Sequence, residues 1–125
     1  MDSRPPAARA LELAEEASFD FAVGDEGAAL AKLSEAVQLA PDCFEAWLAK
    51  AEVHFAARQF DEALAAGEHA LALRPKDIHA HTSLSRIWME RGDKAKAEHH
   101  GAQARVLGWG EQLKEPPGAQ PGELA

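Results

Sequence analysis

Six histidines, one cysteine and the adjacent carboxylates Glu15-Glu16 and Asp61-Glu62 are residues of this chain whose chemistry could go beyond packing. The histidines are His54, His69, His79, His81, His99 and His100. Two metal ligands carried on one helix normally stand three or four residues apart, so that both rings leave the same face. His79 and His81 are two apart and His99 and His100 are adjacent, so neither pair converges on a helix. A pair could still form across a hairpin, joining His79 or His81 to His99 or His100. The pattern favours His81 as a core residue, and His99 and His100 as solvent-facing ones. Cys43 has no base placed to draw off its proton, which argues against a nucleophile. Glu15-Glu16 and Asp61-Glu62 sit where helix-surface charges are expected, and no glycine-rich phosphate loop or nucleophile elbow occurs. The chain reads as non-enzymatic, with no metal and no other cofactor.

Composition narrows the partners. A net charge of −8 repels phosphate backbones, and no basic stripe offsets it, so nucleic acid is not expected. No run of eighteen apolar residues is present, so neither a membrane-spanning helix nor a membrane partner is expected. The opening MDSRPPAARALELAEEAS lacks an apolar centre and soon turns acidic, unlike a secretory or transit segment. A single cysteine cannot close an internal disulfide. Together these point to a cytoplasmic protein.

The elements that must position any site follow a period of 34 residues. Ala29, Ala63 and Ala97 fall in one column, Ala36, Ala70 and Ala104 in another, Ala17, Ala51 and Ser85 in a third, and Pro41 and Pro75 in a fourth. A fixed period of this length marks a helical repeat array, whose units bury their apolar faces against neighbours. The expected division is a lead-in over 1–9, units at 10–43, 44–77 and 78–109, and a largely disordered tail over 110–125. Helices are expected from just after Pro5-Pro6 to Ala22, to Leu39 from a cap at Asp25, and to about Ala57 from a capping box at Asp42–Glu45. The next three run from Phe60 to Arg74, from Ile78 to Glu90, and from Gly92-Asp93 to Leu107 with Gly108 as the stop. A further turn over 109–114 could follow. Glu98 and Arg105 stand in the columns of Leu64 and Leu71, as suits a last helix that meets water, so three units are expected to complete the stack.

Trp47, Ala51, the Phe60-Asp61-Glu62-Ala63 run, Ala70 and Pro75 give the middle unit a pattern that resembles the tetratricopeptide repeat family, over about residues 10–109. The resemblance implies an all-α fold, a right-handed superhelical stack of three antiparallel helix pairs, acting as a protein-interaction scaffold. Leu13 and His81 depart from the family in the Trp47 column, and Gly67 and Gly101 stand where larger residues are common. The bulk of Trp88 is expected to fill the space beside Gly67.

In such a stack the first helices of the units line a concave groove. Helical spacing selects Leu11, Ala14, Glu15, Ser18 and Phe21 on the first, Glu45, Leu48, Ala49, Glu52 and Phe55 on the third, and His79, Thr82, Ser83, Arg86 and Met89 on the fifth. Phe21, Phe55 and Met89 would form an apolar row with Leu48 beside it. Family members that clamp a partner's C-terminal carboxylate use Lys, Asn, Asn, Lys and Arg. The matching positions here hold Ala14, Ser18, Ala49, His79 and Ser83, so that clamp is absent. The expected partner is a peptide or helix of another protein with apolar anchors and basic residues. A second possibility is a homo-oligomer. The units carry 1 basic against 8 acidic residues, then 4 against 6, then 5 against 3, so an acidic first unit could meet a basic third unit head to tail.

Overall fold

The computed structural model describes residues 3–114, which form six helices and no strand. They are α1 (Pro6–Ala22), α2 (Glu26–Leu39), α3 (Phe44–Ala56), α4 (Phe60–Leu73), α5 (Ile78–Glu90) and α6 (Lys94–Lys114). Each starts and stops for a local reason. Pro6 opens α1, where its missing N–H has no partner to lose. Asp25, Asp77 and Asp93 cap α2, α5 and α6, each accepting at 3.0 Å from the backbone N–H three residues on. The capping box expected at Asp42–Glu45 does not form. Cys43 is the N-cap of α3, and its side chain accepts no hydrogen bond from a backbone N–H of the helix. It stands 34 residues before Asp77, so the carboxylate that caps α5 has no counterpart in α3.

The turns inside the three helix pairs share one geometry. Gly24 and Gly92 have φ of +90° and +85°, and Arg58, in the same column, has φ of 60°. In each turn the next residue's N–H reaches back five positions: Asp25 to the Asp20 carbonyl, Gln59 to His54, and Asp93 to Trp88. This six-to-one bond, made possible by a left-handed residue, defines a Schellman stop.

Contacts are most extensive between α1 and α2, α3 and α4, and α5 and α6. Successive pairs then meet through α2 with α3 and α4 with α5, while α1, α3 and α5 touch in a row. Ala17, Ala29, Ala51 and Ala63 have no exposed surface, which lets paired helices cross closely. Between pairs, a methyl added at Gly67 would come within 3.0 Å of Leu84 Cδ2 and 3.7 Å of Ile87 Cδ1. Leu84 and Ile87, not Trp88, occupy that space. Trp88 packs at the edge of the same cluster with Lys96 Nζ 4.3 Å from its ring.

The Trp47 column explains how units lock to the preceding turn. Trp47 Nε1–H donates to the Pro41 carbonyl at 2.8 Å, and its ring stacks on His69 with centroids 3.9 Å apart. His81, 34 residues on, makes the equivalent bond from Nε2–H to the Pro75 carbonyl at 2.9 Å. It is buried, as its column requires. His100 departs from expectation: it is half-buried and turned toward His81, while His99 is exposed.

No turn stops α6 at Gly108. The helix continues through Gly108 and Gly110 to Lys114, because Trp109 replaces the proline that ends α2 and α4 in this column and leaves the backbone N–H in place. The remaining part of the expected tail, from Glu115, lies outside the described residues.

Candidate peptide-binding groove

The row of α1, α3 and α5 is built by the same spacing that selected the groove residues, and it holds a pocket. A cavity of about 200 Å³ opens between α1 and α3, lined by Ala17, Ser18, Phe21, Leu33, Ala49, Glu52 and Val53. Ser18, Phe21, Ala49 and Glu52 are the expected groove residues it brings together. Ala17, Leu33 and Val53 form its inner wall; all three are buried, and none was among the expected groove residues. The space exists because Ser18 and Ala49 face each other across the seam between α1 and α3 with too little bulk to fill it. Two small residues on neighbouring inner stripes are the signal that marks such a pocket.

The pocket is largely apolar, with the Glu52 carboxylate on its lining. Glu52 and Glu15, the latter one turn before Ser18 on α1, are exposed, and among the described residues neither is paired with a cation. Lys32, the nearby base on α2, is committed elsewhere: its Nζ lies 2.7 Å from the Asp20 carboxylate and 3.6 Å from Glu16. The hydrogen bond that Lys32 donates to the Asp20 carboxylate leads the causes that hold its pKa above the ordinary value. Ser18 Oγ–H donates to the Ala14 carbonyl, which leaves the hydroxyl at the pocket without a competing side chain.

The other expected groove residues are placed unevenly. Phe55 is half-buried, with the Phe60 ring 5.7 Å away and the Arg86 guanidinium 4.9 Å from its own centroid. Met89 is 53% exposed, so Phe21, Phe55 and Met89 are not equally open. Leu48 is half-buried against Phe44 and Ala80. Glu45 is exposed and paired with Arg74 at 3.2 Å. Thr82 is exposed and donates to the Ile78 carbonyl, and Leu11 and His79 are exposed but do not line the pocket. Ala14 and Ser83 are buried, so both belong to the helix contacts beneath the groove rather than to its surface.

A family model described as tetratricopeptide repeat matches residues 20–66, the span that includes the Trp47 and Phe60 motifs. Over that span the chain resembles the tetratricopeptide repeat family. Solved structures with the same fold include MamA, at 20% identity and a TM-score of 0.79 over 86% of this chain and 63% of that one. A chain of the CopN-Scc3 complex matches at 18% identity and a TM-score of 0.73, over 86% of this repeat protein and 61% of that one. The Yersinia enterocolitica type III secretion translocator chaperone SycD matches at 18% identity and a TM-score of 0.76, over 80% and 76% of the two chains. This chain thus spans about three-fifths of the MamA and CopN-Scc3 chains it matches. No curated protein sequence matches it. Among the described residues, no helix of this repeat protein is long and apolar enough to cross a membrane.

Proposed function

We propose that this chain is a non-enzymatic interaction module that holds an extended or helical segment of another protein against α1, α3 and α5. The observation that carries this reading is the apolar pocket between α1 and α3 with unpaired Glu52 on its lining, while Glu15, exposed one turn before Ser18 on α1, adds a second unpaired carboxylate to the same inner stripe. An apolar side chain entering the pocket removes its own surface from water, worth about 25 cal/mol per Å² before ordering costs. A neighbouring lysine or arginine then meets the two carboxylates, whereas an acidic segment meets repulsion. The similar structures titled as a complex and as a translocator chaperone support protein partners in general. Exposed Ser18 and Glu52 supply the test. Ser18→Trp fills the pocket and Glu52→Lys reverses its rim, so each variant should lose a partner bound by the parent chain while keeping its helical circular dichroism. Retained binding in both would remove the groove from consideration.

Self-assembly is a second reading with its own observation. Val106, Trp109 and Leu113 form an exposed stripe on α6, at 57, 59 and 86% exposure, on the more basic end of the molecule. If α6 meets the acidic α1 of another copy, sedimentation should show a mass increase that high salt weakens and Trp109→Asp abolishes. A monomer at every concentration and salt excludes it.

A further inference from the structure

A pair of metal-competent side chains is brought together away from the groove, where α5 meets α6. His81 on α5 and His100 on α6 place their Nδ1 atoms 3.1 Å apart. Two nitrogens bound to one zinc ion at about 2.05 Å with a tetrahedral angle stand about 3.3 Å from each other. The separation therefore matches a shared cation after a small ring adjustment.

The surroundings of His81 favour the same outcome. The Pro75 carbonyl can only accept, so His81 Nε2 carries the hydrogen of that 2.9 Å bond and the singly protonated ring turns its Nδ1 lone pair toward His100. A backbone carbonyl fixing the far nitrogen of a ligating imidazole is the usual outer support of a metal site. Without metal, His100 must supply the proton between the two Nδ1 atoms. When a cation takes its place, that proton passes through water to His100 Nε2, and a neutral pair needs no net loss of a proton.

We propose that His81 and His100 bind a borderline divalent cation, of the zinc or nickel class, which staples α5 to α6 beside the Pro75 turn. Among the described residues no group of three or more metal-ligating side chains forms, so water completes the coordination and the site is a loading site of modest affinity rather than a closed structural one. Hard cations such as magnesium, which prefer oxygen, are not held.

Calorimetric titration of the full chain with zinc chloride, nickel chloride and magnesium chloride, paired with thermal denaturation, tests this. The expected result is one zinc or nickel bound per chain with a rise in melting temperature, no response to magnesium, and loss of the response in His100→Gln. His99→Gln, which alters the exposed neighbour, should keep it. His81→Gln could weaken the fold by loosening the Pro75 contact, so His100→Gln is the deciding variant. No heat with either transition metal, or an undiminished response in His100→Gln, overturns the proposal.

Discussion

Arg58 holds a backbone conformation that the chain assigns to glycine at both other positions of its column. With φ of 60° its Cβ crowds the backbone, and the contacts it makes in return are exposed ones: Glu90 at 3.9 Å and the Phe60 ring at 5.1 Å. Arg58→Gly should raise unfolding free energy by about 0.5 to 1 kcal/mol in chemical denaturation. A lower midpoint would mean the surface contacts outweigh the backbone. His100 sets a pH dependence at the same scale. Its folded pKa lies below the ordinary histidine value of 6.5, mainly through burial, so the unfolded chain binds the proton more readily. The stability this group carries is complete above about pH 6.5 and is lost as the pH falls. In metal-free buffer, the parent chain should lose more stability than His100→Gln between about pH 7.5 and 5.5. Equal losses would contradict the burial.

Helix packing depends on a few positions where volume is tightly set. Gly67 faces buried Leu84 and Ile87 across the α4–α5 seam, so Gly67→Leu should cost about 2 kcal/mol by overpacking and lower the melting temperature. An unchanged midpoint would show that this seam is loose. At this scale much was legible in the sequence. The 34-residue columns gave six helices because small residues at crossings and left-handed turns recur for the same steric reason in each pair. What escaped were positions where a column's usual chemistry is missing. Cys43 replaced a capping aspartate, Trp109 replaced a proline so that α6 ran on, and Leu84 rather than Trp88 took the space beside Gly67. The meeting of His81 and His100 also depends on how α5 and α6 are rotated about their axes, which no spacing along one helix reveals. Helical spacing selected Ser18, Phe21, Ala49 and Glu52, which line the α1–α3 pocket, but it could not tell exposed Met89 from buried Ala14, because one stripe includes both surface and contact positions.

The molecule as a whole is a row of first helices backed by second helices, acidic at one end and more basic at the other. Burial is concentrated where the two helices of each pair meet, and the inner row keeps a pocket that these contacts leave unfilled. On the function proposed above, the occupant would be a partner segment that supplies the missing apolar side chain and a cation. Selection from a displayed library of random peptides tests that claim without knowing the natural partner. The account predicts enrichment of sequences with a bulky apolar residue close to lysine or arginine, and loss of their binding in both Ser18→Trp and Glu52→Lys. Enrichment of acidic sequences, or equal binding by the parent chain and both variants, would contradict it.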